Sequence, residues 1–105
     1  MPTPPQRNHR ITLEQGIEYT TRFRKAAPDA IKASLFWSIG GLTELMAQKD
    51  CAGLRIYNGL DEAGIAVHVL VAVDREGNDM TAGTILELAW PCPPFCGEIS
   101  QLQTG

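Results

Sequence analysis

The sequence predicts an α+β fold: two helices on one face of a small, mainly antiparallel sheet of three to four strands. The expected order is α-β-α-β-β, with a possible short fourth strand. Gly53–Val73 contains two β-rich runs on either side of a turn cluster, which predicts a hairpin. Residues 12–26 and 39–49 carry apolar side chains at helical spacing. Together these patterns define the predicted fold class.

The second run of the hairpin is the strongest strand signal in the chain. One face is wholly β-branched, with Ile65, Val67, Val69, Val71 and Val73. The other face is small or apolar apart from His68. A strand with two apolar faces lies inside a sheet, so this run is predicted to be the central strand. The turn before it has Gly64 where a positive φ is required.

The first helix is predicted from its N-terminal signal. Thr12 and Gln15 have the spacing of a capping box, and Pro28 ends the helix after about Ala26. Residues 1–10 carry three prolines and no hydrophobic periodicity, so we expect a disordered arm. The predicted domain is 11–97, and the polar residues 98–105 are expected to form a flexible tail.

The segment Ile31–Trp37 is compatible with two structures. Its alternation of apolar residues favours a strand, whereas Asp29 would cap a long helix. Gly40 and Gly41 oppose the long helix, because each interior glycine costs about 1 kcal/mol relative to alanine. We therefore predict a strand, followed by a helix from about Ile39 or Leu42 to Lys49.

The sequence after the hairpin predicts a turn and a last short strand. Asp74, Glu76 and Asn78 have the spacing of the first ligands in a calcium loop. The glycine of such a loop is misplaced and its closing glutamate is missing, so a turn is favoured. Residues Thr84–Ala89 are β-compatible and are predicted to pair with the hairpin.

Size and composition are those of one ordinary globular domain. The chain has 105 residues and a net charge of −3. Its nine Lys and Arg residues are scattered, which argues against a nucleic-acid partner. No secretory signal is visible and no apolar run reaches the length of a membrane span. We therefore expect a soluble, cytoplasmic protein with no membrane partner.

The segment Cys92–Cys96 is the candidate for chemistry, and three interpretations remain open. In the first, Trp90 and Phe95 cross the sheet as a lid and both cysteines are buried apolar groups. In the second, the cysteines form a redox-responsive disulfide. The third interpretation is a zinc site, with Cys51 or His68 completing the ligand set. The candidate metal ligands are therefore Cys92, Cys96, Cys51 and His68.

His68 is the polar residue of the predicted central strand, and a buried histidine usually has a hydrogen-bond partner. The sequence shows no nucleophile elbow, phosphate loop or zinc-protease motif to accompany it. No catalytic residue is predicted, and an enzyme is the third choice after the two functions below.

Four segments of the chain are distinctive: Ile31–Ala33, Gly53–Tyr57 with Gly59–Asp61, Val73–Met80 and Cys92–Gly97. Together they resemble a family of small bacterial proteins of uncharacterised activity. The resemblance covers most of the chain after Ile11 and implies a shared small fold without a transferable site. Where a relative reads Phe-Phe-Gly-Lys-Asp after the first strand, this chain has Phe36–Gly40.

The function predicted from these patterns is a protein–protein interaction module that self-associates, as a homodimer or higher homo-oligomer. The chain has too few elements to cover both apolar faces of the central strand, so a second copy or another protein is expected there. The alternative is a thiol-based metal or redox protein using Cys92 and Cys96. No cofactor is expected for the first function, and zinc for the second.

Overall fold

The computed structural model describes residues 4–88 and 90–104. They contain helices and two antiparallel sheets. The α+β class is confirmed, with a fifth strand and a C-terminal helical turn added to the predicted order. In chain order the elements are α1 (Leu13–Ala26), β1 (Ala33–Leu35), α2 (Ile39–Met46), β2 (Gly53–Leu60), β3 (Ala66–Val73), β4 (Ile85–Leu88), β5 (Trp90–Cys92) and α3 (Gln101–Thr104).

The larger sheet has the order β2-β3-β4, so β3 is its central strand, as predicted. In the β2–β3 hairpin Gly53 lies opposite Val73 and Leu60 opposite Ala66. The last predicted strand is observed as β4, which is antiparallel to β3; Ala89 lies outside the described residues. β1 and β5 pair with each other in a separate two-stranded sheet, which the sequence pattern does not predict.

The turns on either side of β3 are stabilised by aspartates. Gly64 has a φ of 80°, a conformation that costs glycine little. The carboxylate of Asp61 accepts hydrogen bonds from the backbone N–H groups of Ala63 and Ile65, both at 2.9 Å. Asp74 accepts two such bonds in the next turn, at 2.9 and 3.0 Å. Its carboxylate therefore stabilises a turn, as the glycine and asparagine there predict.

Helix α1 begins with the predicted capping box. The Gln15 N–H donates to Thr12 Oγ1 at 3.1 Å, and the Thr12 N–H donates to Gln15 Oε1 at 2.9 Å. These bonds satisfy two donors that would otherwise lack a partner at the helix start. Before the helix, residues 4–10 are exposed and have no regular secondary structure; residues 1–3 of the predicted arm lie outside the described part.

Helix α1 packs mainly against α3, whereas we expected both helices to lie on the sheet. Arg24 Nη1 donates to the Leu102 carbonyl at 2.8 Å. A Cβ placed on Gly16 would lie 3.2 Å from the Leu102 side chain, so the glycine permits the close approach. The segment expected to be a flexible tail thus contains a helical turn, because α1 offers it an apolar surface.

The segment after α1 contains a short strand and then a helix, in agreement with the choice made from its alternation. β1 is limited to Ala33–Leu35, and α2 starts at Ile39 with Ser38 as its N-cap. The Ser38 hydroxyl accepts the Gly41 N–H at 3.3 Å. A Cβ on Gly41 would lie 3.3 Å from Ser38 Oγ, which is a tight contact, so a larger residue would press on the N-cap side chain.

The core lies between α2 and the larger sheet. Leu45, Leu70 and Ala72 are buried together, and the residues packed against them are Leu42, Cys51, Met80 and Leu86. A helix about 10 Å wide covers about two strands that lie 4.8 Å apart. Accordingly α2 contacts β3 and β4, and β2 extends beyond its cover. In the described part of the chain, no helix is long and apolar enough to cross a membrane.

This packing predicts a large difference between two aliphatic residues of the same helix. Leu45 is fully buried, whereas Ile39 is 79% exposed. Leu45→Ala should lower the free energy of unfolding by about 2–5 kcal/mol, because it removes core contacts and leaves a cavity. Urea denaturation measures this change. Ile39→Ala is the matched control and should change the same free energy by about 0.5 kcal/mol or less. Equal losses from both variants would contradict the observed core.

Candidate functional site

The strand β2 lies at the edge of the larger sheet and exposes a row of apolar side chains. Leu54, Ile56 and Leu60 are 41%, 58% and 73% exposed. Their partners in β3 include Ala72 and Leu70, which α2 covers. Because paired residues share a face, the exposed row continues the core-facing side of the sheet beyond the helix. It is an apolar surface on a sheet edge that pairs with no other strand among the described residues.

The backbone of the same residues also points away from the sheet. The Asp61 N–H donates to the Ile65 carbonyl at 2.9 Å, in the register that continues along β2 and β3. In an antiparallel ladder, hydrogen-bonded and non-hydrogen-bonded residue pairs alternate. Because Asp61 belongs to a bonded pair, the odd-numbered residues of β2 are the ones that bond to β3. The N–H and C=O groups of the even-numbered residues point to the free edge: Leu54, Ile56, Asn58 and Leu60. We call these four residues the open edge.

β3 supports this assignment from its other side. The Met80 N–H donates to the Ala72 carbonyl at 2.9 Å, and Leu70 lies opposite Leu86 of β4. The backbone N–H and C=O groups of the even-numbered β3 residues therefore bond toward β4. Those of the odd-numbered β3 residues bond to β2. All four residues of the open edge thus have unpaired backbone groups, and three of them, Leu54, Ile56 and Leu60, also have exposed apolar side chains.

A charged cluster occupies the opposite face of β2. Arg55 and Tyr57 follow each other on that face, and both hydrogen-bond to the carboxylate of Asp79. Arg55 Nη2 also donates to the Gly77 carbonyl at 3.0 Å. Asp79 reaches this position because it forms an isolated antiparallel bridge with Val73, the last residue of β3. The cluster therefore ties β2 to the loop that follows β3.

The hydrogen bonds of the cluster shift the ionisation of its members. The Tyr57 hydroxyl, followed by the Arg55 guanidinium, lowers the pKa of Asp79, and partial burial opposes this effect. The bond to Asp79 and partial burial raise the pKa of Tyr57. The bond to Asp79 also raises the pKa of Arg55. All three shifts favour a charged pair with a neutral tyrosine at neutral pH.

The structure joins the two cysteines of the proline-rich segment. Cys92 and Cys96 form a disulfide with their Cα atoms 4.8 Å apart. Cys92 is buried and lies opposite Ala33 in the β1–β5 sheet. Beside the disulfide, the rings of Trp90 and Phe95 pack edge to face with centroids 5.2 Å apart. The two cysteines are thus joined, and the two aromatic rings beside them pack on each other while remaining about half exposed.

The other two candidate metal ligands have separate surroundings. Cys51 is a free thiol that packs against the Leu45 cluster. His68 Nδ1 lies 3.2 Å from the Ser34 hydroxyl, in a half-buried hydrogen bond between β3 and β1. Among the residues described, no group of three or more His, Cys, Asp or Glu side chains is arranged to hold a metal. The zinc set stays a prediction, and it requires the cysteines to be reduced.

The sequence does not predict two of these contacts. They are the hydrogen bonds of Asp79 to Arg55 and Tyr57, and the identity of the partner of His68. The alternation of Arg55 and Tyr57 already signals that they share a face, but nothing local indicates Asp79. The Ser34–His68 bond likewise depends on how the β1–β5 sheet meets β3, and no spacing in the sequence encodes that contact.

Comparison with known proteins adds no relative. No protein-family model, curated protein or solved structure matches the chain. The resemblance to a bacterial family, inferred from four segments, stays a prediction, and the function rests on the geometry of the molecule.

The cluster predicts a tyrosine titration that depends on one carboxylate. In a Tyr19→Phe background, ultraviolet absorbance reports Tyr57 alone, since the chain has two tyrosines. The midpoint should lie above the free value of about 10, and Asp79→Asn should move it back toward that value. The matched control Asp29→Asn, in an exposed loop, should leave it unchanged. If Asp79→Asn leaves the midpoint at its wild-type value, the Asp79 carboxylate does not raise the pKa of Tyr57.

The same cluster predicts how stability depends on pH. Because folding lowers the pKa of Asp79, its contribution is complete above the unfolded value of about 4 and is lost as pH falls through the folded value. Folding raises the pKa of Tyr57, so that contribution is complete below about 10 and is lost as pH rises through the folded value. Urea denaturation of the wild type and Asp79→Asn should therefore differ at neutral pH and converge in acid. A gap that persists in acid would contradict this account.

Proposed function

We propose that this protein is a small interaction module that self-associates by pairing the β2 strands of two copies. The open edge is the observation that carries this proposal. Unpaired N–H and C=O groups on an edge strand form a template for another strand. Here the same residues add exposed apolar side chains, so pairing would satisfy backbone groups and remove apolar surface from water together.

β2 lacks two of the devices that usually protect an edge strand against such pairing. Natural edge strands are often interrupted by proline or by several charges, particularly lysine. β2 contains no proline, and its single charged residue is Arg55. That guanidinium is bound to Asp79 on the face away from the apolar row. Neither device therefore opposes a second strand along β2.

A second copy fits the edge because two antiparallel β2 strands are self-complementary about a twofold axis. An axis beside Tyr57 would place Ile56 opposite Asn58 of the second copy, and Leu54 opposite Leu60. All four residues have outward backbone groups, so every pairing position is used. The two sheets would join into one sheet of six strands, with both apolar rows on the same side.

We place this interaction in the cytoplasm, with neither nucleic acid nor membrane as the partner. The net charge of −3 and the scattered basic residues support a protein partner. No cofactor and no catalytic residue take part in strand pairing.

Self-association can be tested at the backbone with two variants of Asn58. Asn58→Pro removes an outward N–H while sparing the bonds between β2 and β3, and proline is tolerated on edge strands. We expect it to raise the dimer dissociation constant about tenfold or more, from the lost bond and the bulky ring. Asn58→Ala keeps the N–H and should leave the constant within about threefold. Sedimentation equilibrium from low to high micromolar concentration measures both.

Two results would contradict the proposal. One is a wild-type chain that stays strictly monomeric at high micromolar concentration. The other is a proline variant that associates as well as the alanine variant. Far-ultraviolet circular dichroism and urea denaturation of both variants show whether the hairpin remains folded, so that a folding defect is not mistaken for lost pairing.

The disulfide supports a second candidate function, a thiol-based redox or metal protein. In a reducing cytoplasm the segment would exchange between dithiol and disulfide. Oxidation removes two electrons and two protons from Cys92 and Cys96, and a small-molecule disulfide such as oxidised glutathione accepts them and becomes two thiols. In the dithiol state the two thiolates become available to zinc, with Cys51 or His68 as further ligands.

Native and denaturing intact mass measurements separate the states of this segment. A redox function predicts a chain two hydrogen atoms lighter after treatment with oxidised glutathione, with Cys51 still alkylable. Cys92→Ser should abolish this mass change, and Cys51→Ser should retain it as the matched control. A zinc function predicts about one bound zinc per chain under reducing conditions. Zinc below about a tenth of an equivalent, with thiols inert to the oxidant, would exclude both functions.

A further inference from the structure

The C-terminal helical turn α3 is held on two sides, and one of them is the disulfide-bonded segment. On the first side it lies on α1, where Arg24 Nη1 donates to the Leu102 carbonyl at 2.8 Å and the Leu102 side chain approaches Gly16 closely. On the second side, Gln103 Nε2 donates to the Cys96 carbonyl at 2.9 Å. The side chain of Gln103 therefore joins the last element of the chain to the proline-rich segment.

The disulfide ties the Cys96 carbonyl to a buried anchor. Cys92 is 2% exposed, and its own carbonyl accepts the Lys32 N–H at 2.9 Å next to its pairing with β1. Besides the chain itself and two backbone hydrogen bonds within residues 91–96, the S–S bond is what links Cys96 to this anchor. The acceptor of the Gln103 bond thus has its position fixed through the disulfide.

α3 depends on such contacts because it cannot sustain itself. It has four residues, and isolated helices shorter than about 12–15 residues are marginal in water. Leu102 remains 44% exposed on α1, so its burial holds the turn only in part. When a segment is held this weakly, the loss of one ordinary hydrogen bond changes the ratio of docked to free molecules about twofold to tenfold.

We propose that the Cys92–Cys96 disulfide controls the docking of α3 on α1, so that reduction releases the C-terminal turn. This inference rests on the exchange between dithiol and disulfide proposed above as the second candidate function. Two molecules of a thiol such as glutathione supply two electrons and two protons and become one disulfide, while the S–S bond breaks and both cysteines become thiols. The Cys96 carbonyl then loses its fixed position, and the surface of α1 around Gly16 is uncovered.

The test compares the mobility of α3 in the oxidised and the reduced full-length chain, at a concentration where the chain is monomeric. Nitrogen-15 relaxation gives backbone order parameters, which are about 0.85 for a rigid backbone and below about 0.6 for a flexible one. Those of residues 101–104 should fall when dithiothreitol reduces the disulfide. Exchange of the Gln103 amide, which donates to the Ser100 carbonyl at 3.0 Å, should accelerate about twofold to tenfold. A mobility of α3 that does not change on reduction would overturn the inference.

Two glutamines of α3 provide a matched pair of variants. Gln103→Ala removes the bond to Cys96, so α3 should already be mobile in the oxidised chain and should respond little to reduction. Gln101 is exposed, and its side chain has no hydrogen bond among the described residues, so Gln101→Ala should keep the wild-type response. If Gln103→Ala responds to reduction as fully as the wild type does, the disulfide does not act through this bond and the inference is wrong.

Cys96→Ser separates a failure of this control from a failure of the redox function. The variant keeps the backbone carbonyl at position 96 but cannot form the disulfide, so its α3 should match that of the reduced wild type and ignore dithiothreitol. Circular dichroism checks that it remains folded. If glutathione leaves the wild-type disulfide intact while Cys96→Ser frees α3, the redox function fails and the control of docking is supported. If glutathione reduces the disulfide and α3 stays rigid, the control of docking is overturned and the redox function stands.

Discussion

The backbone ladder of β3 is the interaction on which the rest of this structure depends. β3 bonds to β2 through its odd-numbered residues and to β4 through its even-numbered ones. It is the strand of the larger sheet with both edges occupied, and its residues supply most of the buried apolar side chains. The positions of β2 and β4 along the sheet are each fixed by their hydrogen bonds to β3. The open edge of β2 is therefore a direct consequence of the ladder, because residues that do not face β3 must face outward.

The small size of α2 decides which part of the sheet is covered. The helix has eight residues and places Leu45 against Leu70 and Ala72. A single short helix cannot cover three strands, and α1 is occupied mainly with α3. The apolar row of β2 continues the core pattern beyond the helix. A chain that exposes such a row is expected to bury it against another surface, and a second copy is the partner we propose.

The β1–β5 sheet connects the proline-rich segment to the central strand. The disulfide closes the loop that follows β5, and β5 pairs with β1 at Cys92 and Ala33. The next residue of β1, Ser34, bonds to His68 of β3. The disulfide-bonded segment is thus linked to β3 through one strand pair and one side-chain bond. This arrangement accounts for His68 as a partnered structural residue within an otherwise apolar strand.

The sequence by itself determined the local elements and the central position of β3. The capping box at Thr12, the glycine turn at Gly64 and the two-sided apolar run of β3 each depend on neighbours within a few residues. Such signals are readable because backbone geometry and periodicity restrict the alternatives. The expectation that one apolar face of β3 stays uncovered is wrong, because Leu70 and Ala72 on one face and Val67 and Val71 on the other are all buried. The exposed apolar row lies on β2 instead.

Only the tertiary structure decided which elements meet. The docking of α3 on α1, the pairing of β1 with β5, the Asp79 cluster and the Ser34–His68 bond join residues far apart in the chain. The same holds for the side of β2 that remains open, which follows from the hydrogen-bond parity set at the Asp61–Ile65 pair. Local patterns carry no information about these contacts, because each depends on the relative placement of whole elements. That placement is settled by burial of apolar surface across the entire fold.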